Sequence, residues 1–232
     1  MHPISYHLQK IQGRIIQACA QANRPANDVH LLAVSKSFGK DAIQEAINAG
    51  LLAYGENYVA EGVSKIQHFK TSAAQLQWHM IGHIQSNKTK EIALNFQWVH
   101  AIDRFKIAQR LNEQRAPELG TLQACIAVNA DDEDSKSGVR PEEVLDLAKQ
   151  IMSLPNIKLR GLMCIPQPVQ GLQAQRKPFA LMRVLLEELK SKGYALDTLS
   201  MGMSDDMEAA ILEGATIIRV GRGIFGNRNY PQ

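Results

Sequence analysis

Apolar and polar positions along the chain follow two different spacings. From Ile4 to Ile16 apolar residues recur at helical spacing, and Pro25 follows soon after, which predicts a helix over residues 4–22. Eight short apolar or β-branched runs come later, and each predicts a strand. The predicted strands are residues 30–35, 51–55, 77–82, 98–102, 122–129, 157–163, 195–200 and 216–221.

Segments with a 3.6-residue period lie between these strands, for example residues 40–50, 104–114, 141–154 and 177–193. This alternation favours an α/β fold built as one closed (β/α)8 barrel of the TIM type. Residues 165–176 read as a loop, and the first helix either caps one end of the barrel or fills a gap in its outer ring. An open doubly wound sheet is the alternative, although no GxGxxG follows the first strand.

Composition narrows the class of protein. The 232 residues, 45% of them hydrophobic, suffice for one domain over residues 1–232. The net charge of +3 is scattered along the chain, so we expect no nucleic-acid partner. We expect no membrane segment, no signal peptide and a cytoplasmic location. Cys19, Cys125 and Cys164 are too far apart for a disulfide framework and read as buried thiols.

Chemistry in such a barrel is carried by the carboxyl ends of the strands. Lys36 directly follows the first predicted strand, where partial desolvation makes a neutral amine available to attack an aldehyde. A solvated lysine is the plainer interpretation of this residue alone.

The ends of the seventh and eighth strands are rich in small residues. Ser200, residues 202–204, and Gly221 with Arg222 suit a phosphate site, which barrels commonly build at these two strands. The alternative is structural, with the glycines in turns and Ser204 or Asp205 as a helix N-cap.

Arg219 lies inside the apolar run TIIRVG, so it needs a buried partner, either an internal carboxylate or a ligand ring nitrogen. His79 and His83 have the i, i+4 spacing of a metal pair, but no helix or third ligand accompanies them. We therefore expect no metal site, with His79 on the pocket wall or in the core.

Seven motifs together resemble one known family, the pyridoxal phosphate homeostasis proteins of the YggS/PROSC type. They occur in order between residues 31 and 228. They are LLAVSKSFG, YGENYVAEGVSKI, WHMIGHIQSNK, DDEDSKSGV, RGLMCIP, SMGMSDDMEAAI and IRVGRGIFGNR.

This resemblance implies a monomeric barrel like the N-terminal domain of alanine racemase, with pyridoxal 5'-phosphate as a Schiff base on Lys36. It implies a carrier in vitamin B6 and amino-acid homeostasis, with pyridoxal-phosphate-dependent enzymes as recipients of the cofactor. The further cofactor-binding residues are then Ser200 and Gly221 at the phosphate, Arg219 at the pyridine nitrogen, and Asn57, His79 and Met203 on the pocket wall.

Arg222 departs from the family pattern, in which Ser or Thr usually follows the glycine. Its guanidinium either pairs with the phosphate or turns to solvent.

A pyridoxal-phosphate-dependent amino-acid racemase is the alternative function. Racemisation needs a base on each face of the substrate, and alanine racemase takes its second base from a further domain. Since Gln232 follows the eighth strand closely, we expect no such domain here, and only Tyr54 and Tyr58 remain as internal candidates. Without the resemblance, a phosphate-binding barrel enzyme of sugar or nucleotide metabolism with Lys36 as Schiff-base lysine also remains.

Overall fold

The computed structural model describes residues 3–73, 75–131 and 137–226. Eight parallel strands pair in chain order, and the eighth pairs with the first, so the sheet closes into a barrel. The predicted (β/α)8 barrel is confirmed, and the open-sheet alternative is wrong. The strands are β1 His30–Val34, β2 Ala53–Glu56, β3 Gln77–Met80, β4 Trp98–Ile102, β5 Leu122–Ala127, β6 Ile157–Met163, β7 Thr198–Ser200 and β8 Ile217–Val220.

An α-helix follows each strand, and one more precedes β1. The first helix begins at Ile4, as predicted, and packs outside the barrel beside the second, eighth and ninth helices. It therefore fills a place in the outer ring. The helices are α1 Ile4–Gln21, α2 Lys40–Asn48, α3 Val59–Phe69, α4 Thr89–Asn95, α5 Phe105–Gln114, α6 Val144–Ile151, α7 Leu172–Ser191, α8 Met207–Leu212 and α9 Arg222–Phe225.

The apolar core has two layers. The larger layer lies between the outer face of the sheet and the helices. The smaller layer fills the barrel interior with Leu32, Val34, Ile81 and Ile217. Because successive strand residues point to opposite faces, Leu32 and Val34 of β1 share the interior while Ala33 joins the outer layer. Cys19, Cys125 and Cys164 are buried, as predicted.

The helix before β7 differs from its prediction. α7 begins at Leu172, whereas the sequence predicted a loop over residues 165–176. A proline is typical of the first helical turn, which would have agreed with a helix that starts at residue 177. In the structure Pro178 lies inside the helix instead.

Among the described residues, no helix has both the length and the apolar character needed to cross a membrane.

Candidate functional site

A cavity of about 520 Å³ lies at the carboxyl ends of the strands. Its walls come from segments at the ends of β1, β2, β3, β6, β7 and β8, so residues distant in sequence meet here. Chemistry in parallel barrels is built at this end. The lining residues are Val34, Lys36, Asn57, Ile81, Ile165, Pro166, Pro168, Val169, Gln170, Gln175, Met203, Ser204, Asp205, Asp206, Arg219, Gly221 and Arg222.

Lys36 is half-buried and lines this cavity. The next residue, Ser37, has φ of 66°, a left-handed conformation that costs a non-glycine residue roughly 1–2 kcal/mol. The N–H of Ser37 donates to Glu61 Oε1 at 2.7 Å, and the N–H of Phe38 donates to the carbonyl of Ser35 at 3.1 Å. These bonds fix a tight turn at the end of β1, and Lys36 lies within it.

Asn57 follows β2 and also lines the cavity. A close approach of two loops holds it there, because a Cβ atom on Gly82 would collide with the backbone of Asn57. Glycine at position 82 is therefore a steric requirement of this wall.

The loop after β7 supplies Met203. Gly202 has φ of 92°, which favours glycine, and a Cβ there would lie 2.5 Å from Cβ of Ala210. The backbone N–H of Met203 donates to the Asp206 carboxylate at 2.5 Å. Asp206 is the residue immediately before α8, so neither candidate N-cap, Ser204 or Asp205, occupies the cap position.

The loop after β8 supplies Gly221 and Arg222. α9 begins at Arg222, and the first N–H groups of a helix have no acceptor within the helix itself. The Arg222 guanidinium turns to Asp205, with Nη2 2.6 Å from Oδ2, and both side chains are exposed. Gly221 and Arg222, both predicted to bind the cofactor, line the same cavity as Lys36.

Arg219 in β8 lines the cavity from the barrel interior and is 3% exposed. Its Nη1 donates to Ser200 Oγ and its Nη2 to the carbonyl of Cys164, both at 2.8 Å. Burial lowers the pKa of this guanidinium. A guanidinium has five N–H donors, so two bonds leave donors for a ligand.

The structure places Ser200 in the barrel interior, outside the described cavity wall, and its contact with the phosphate stays a prediction. It is fully buried and joins Arg219 to His100, whose Nδ1 lies 2.8 Å from Ser200 Oγ. Since a guanidinium can only donate, the Ser200 hydroxyl accepts from Arg219, whereas the direction of its bond to His100 depends on the histidine tautomer. Ser200 supports Arg219 in this structure.

His79 also differs from its assignment to the cavity wall. It is buried in the barrel, its Nδ1 lies 2.9 Å from His100 Nε2, and its ring stacks on Trp98. Burial lowers the pKa of His79 to about 3, so it is neutral. The interpretation of His79 as a core residue with one hydrogen bond agrees with this position, since its Nε2 has no partner among the described residues.

His83 lies apart from His79, in the loop after β3, with its Nδ1 3.4 Å from Asp103 Oδ2. The two histidines therefore form no metal pair. Within residues 3–73, 75–131 and 137–226, no group of three or more His, Cys, Asp or Glu side chains could hold a metal ion.

The two tyrosines considered as a second catalytic base lie elsewhere. Tyr54 is fully buried against Trp78, its hydroxyl donates to the carbonyl of Leu51 at 3.1 Å, and burial raises its pKa. Tyr58 is 61% exposed. Neither belongs to the described wall of the cavity.

Two of the seven motifs extend beyond the described residues. Residues 132–136 of DDEDSKSGV and residues 227–228 of IRVGRGIFGNR are outside them.

Two features of the site were not predicted from the sequence, namely one wall of the cavity and one cluster of charged side chains. The wall is the segment from Ile165 to Gln170 with Gln175, which the loop-like composition of this stretch could have indicated. The cluster is Lys65 with its carboxylate partners, next to the Lys36 turn. Its signal was a lysine on the same helical face as Gly62 and Phe69, a face that the structure buries.

Known proteins resemble the chain over nearly its whole length. The family model described as alanine racemase, N-terminal domain, matches residues 7–229. A protein of Haemophilus influenzae named pyridoxal phosphate homeostasis protein is 50% identical over 98% of this chain and 97% of its own. A protein of the same name from Escherichia coli K12 is 46% identical over all of both chains.

Solved structures agree with these sequence matches. PipY of Synechococcus elongatus, in a structure with pyridoxal phosphate bound, is 33% identical with a TM-score of 0.82, over 96% of this chain and 100% of its own. Alanine racemase of Clostridium difficile is 15% identical with a TM-score of 0.76, over 99% of this chain and 57% of its own, and shares the barrel fold. The chain belongs to the family of pyridoxal phosphate homeostasis proteins.

Proposed function

We propose that this protein binds pyridoxal 5'-phosphate as a Schiff base on Lys36. In this proposal it acts as a carrier in vitamin B6 and amino-acid homeostasis. The observation that carries the proposal is one cavity with Lys36, Arg219 and the loops after β7 and β8 on its walls. The names of the relatives, and the pyridoxal phosphate bound in the PipY structure, support the choice of ligand.

Lys36 suits the covalent step. With pyridoxal phosphate bound, its neutral amine would add to the aldehyde carbon, and the aldehyde oxygen would leave as water with the two amine protons as the C=N bond forms. A half-buried position supports this role, because partial desolvation favours the neutral amine. The fixed turn around Ser37 supports it as well, since the amine then approaches the aldehyde from one direction.

Arg219 suits the pyridine nitrogen. Because it remains a donor, it keeps a ring nitrogen beside it unprotonated, and this weakens the ring as an electron sink. A cofactor held in this way is bound well but catalyses little. Arg219 therefore supports a carrier function over a catalytic one.

The phosphate end suits the loops that carry Met203, Ser204, Gly221 and Arg222. The N–H groups of Ile224 and Phe225 already donate to the carbonyl of Gly221, so we assign the N–H groups of Arg222 and Gly223 to the phosphate, which the small residues of this loop allow to approach. Asn57, from the loop after β2, completes the pocket. The pairing of Arg222 with Asp205 supports backbone groups as the main phosphate donors.

Turnover is not part of this proposal. Neither tyrosine that could supply a second base lines the described wall, so we assign no catalytic residue. The proposal also takes residues 1–232 as one cofactor-binding domain, active as a cytoplasmic monomer, with pyridoxal-phosphate-dependent enzymes as recipients.

Visible absorption tests the proposal. Incubation with pyridoxal phosphate should give the unaltered protein the yellow band of a protonated Schiff base, and borohydride should fix the label on Lys36. Lys36→Ala should remain colourless, whereas Lys40→Ala, which alters an exposed lysine four residues away, should stay yellow. A yellow Lys36→Ala variant would contradict the assignment.

Exchange of the α-proton tests the carrier function. L-amino acids incubated in heavy water with the loaded protein should keep their α-proton, because the ring is a weak electron sink. Sustained exchange would favour the racemase alternative.

A further inference from the structure

Lys65, Glu56 and Glu61 form a charged cluster that contacts the turn around Lys36. Lys65 Nζ lies 2.8 Å from Glu56 Oε1 and 2.7 Å from Glu61 Oε1. The side chains of Lys65 and Glu56 are 5% and 0% exposed. Charges at this depth persist only when they are paired and hydrogen-bonded, so the arrangement is tightly constrained.

This cluster holds both residues that flank Lys36. Before it, Lys65 Nζ donates to the carbonyl of Ser35 at 2.7 Å, and Ser35 Oγ donates to Glu56 Oε1 at 2.5 Å. After it, Glu61 Oε1 accepts the N–H of Ser37 at 2.7 Å. Movement of the Lys36 backbone would therefore break hydrogen bonds of a buried ion pair.

The conformation of Ser37 shows why such an anchor is needed. Its φ of 66° is disfavoured for any residue with a Cβ atom, so the turn needs a compensating interaction. The hydrogen bond to Glu61 supplies one, and Lys65 in turn holds Glu61. Helix α3 thus sets the geometry of the loop after β1.

We propose that Lys65, with Glu56 and Glu61, positions Lys36 for attack on the aldehyde of pyridoxal phosphate. This inference rests on the function proposed above. The three side chains are outside the described cavity wall and act through the backbone on both sides of Lys36, so they are positioning residues. Small displacements of a reacting group cost large factors in rate, so loosening this turn should slow formation of the C=N bond.

Glu61 offers the cleanest test, because alanine is well tolerated on a helix. Glu61→Ala removes the acceptor for Ser37, whereas Glu61→Gln keeps an amide oxygen there. We expect growth of the yellow band to slow at least about tenfold in Glu61→Ala and to recover most of its rate in Glu61→Gln. Glu91→Ala is the matched control, since Glu91 is also a helical glutamate paired with a lysine, 2.7 Å from Lys88.

Binding without the covalent step separates positioning from general damage. Pyridoxine 5'-phosphate has the ring and the phosphate but an alcohol in place of the aldehyde. Its affinity should be the same in Glu61→Ala and in the unaltered protein. A parallel loss of affinity and rate would overturn the inference in favour of a collapsed cavity.

Lys65→Met should give a larger decrease in rate than Glu61→Ala, because it releases both flanks of Lys36. Glu213→Gln is its control, since Glu213 is a buried carboxylate paired with Arg176 and Arg183 outside the cavity. If Lys65→Met does not fold, the Glu61 series decides alone. Unchanged rates in Glu61→Ala would overturn the inference, whereas a colourless unaltered protein would overturn the proposed function itself.

Discussion

The two ends of the barrel both border cavities, and their arginines have different partners. At the amino ends of the strands, a cavity of about 750 Å³ includes Arg160, which lies 2.5 Å from the carboxylate of Asp197 and over the ring of Trp98. At the carboxyl ends, the smaller cavity includes Arg219, whose hydrogen bonds go to the neutral oxygens of Ser200 and Cys164. In the larger cavity, the charge of Arg160 is therefore already paired with that of Asp197.

The hydrogen-bond partners of its charged groups therefore identify a functional site better than the volume of its cavity does. A buried guanidinium bonded to neutral groups costs desolvation free energy, and the nearby Asp206 carboxyl offsets only part of that cost, since the pKa of Arg219 stays lowered. Such an arrangement is typical of functional sites, where a ligand completes the hydrogen bonding. Arg160, which is only partly exposed and is paired with Asp197, has no such need.

The largest effect is expected at Arg219, the arginine whose hydrogen-bond partners are neutral. Arg219→Met keeps an unbranched but shorter side chain and removes the hydrogen-bond donors. We expect the affinity for pyridoxal phosphate to fall about 10- to 100-fold, because hydrogen bonds to charged groups contribute about 1.5–3 kcal/mol. Spectral titration would measure it, with Arg160→Met as the matched control at the other end. Equal affinities in the two variants would contradict the role of Arg219.

Acid stability tests the histidines that lie between the two ends. Burial lowers the pKa of His79 to about 3, and burial, His79 and Arg219 together lower that of His100. Below pH of about 6.5 the unfolded chain binds protons that the folded protein does not, so the free energy of unfolding falls as the pH is lowered toward 3. From pH 8 to pH 5, His79 should account for a loss of about 2 kcal/mol, and His100 should add a loss in the same direction.

Urea unfolding at pH 8 and pH 5 measures this loss. His79→Gln removes one titrating group and keeps an amide that can donate to or accept from His100, so its loss should be smaller by about 2 kcal/mol. Asp197 at the amino end does not interfere. Burial raises its pKa, but hydrogen bonds from Arg160 and Thr198 outweigh this effect and lower it, so its contribution is lost only in more acidic solution. The same loss in both proteins would show that His79 titrates normally when folded.

The sequence predicts the positions of strands and strand ends well, because both depend on local pattern. β8 was predicted over residues 216–221 and is found at Ile217–Val220. Lys36, Asn57 and Gly221 then line one cavity because every parallel strand of a closed barrel ends on the same side. Their meeting follows from topology and needs no knowledge of the stagger between strands.

Ser200, His79 and Lys65 could not be predicted from local pattern in the same way. Whether a strand residue faces the barrel interior or its rim depends on the stagger of the closed sheet, which joins segments far apart in sequence. His79 meets His100 from β4, and Ser200 meets Arg219 from β8. The partners of Lys65 come from β2, α3 and the turn after β1, so its burial becomes clear only once these segments pack.

A smaller effect is expected at the amino end of the barrel. Arg160→Met removes the bonds to Asp197 and Gln123 and the contact with Trp98. Since this pair is partly exposed, we expect the free energy of unfolding to fall by about 1 kcal/mol or less. The affinity for pyridoxal phosphate should be unchanged. Urea unfolding and spectral titration measure the two quantities, and a loss of affinity would show that the ends of the barrel are coupled.

The smallest effect is expected at Arg222, the residue at which the sequence resemblance implied a departure from the family pattern. Its guanidinium is paired with Asp205 at 2.6 Å, so at the carboxyl end this cation resembles Arg160 more than Arg219. Arg222→Thr should therefore change the affinity for pyridoxal phosphate by less than about threefold, as expected for an exposed ion pair. Asp205→Asn gives the complementary test, because it releases the Arg222 guanidinium from its ion pair. This substitution should strengthen phosphate binding in the protein that keeps Arg222 and should have no effect when it is combined with Arg222→Thr. A large loss of affinity in Arg222→Thr alone would instead mean that Arg222 leaves Asp205 and binds the phosphate directly.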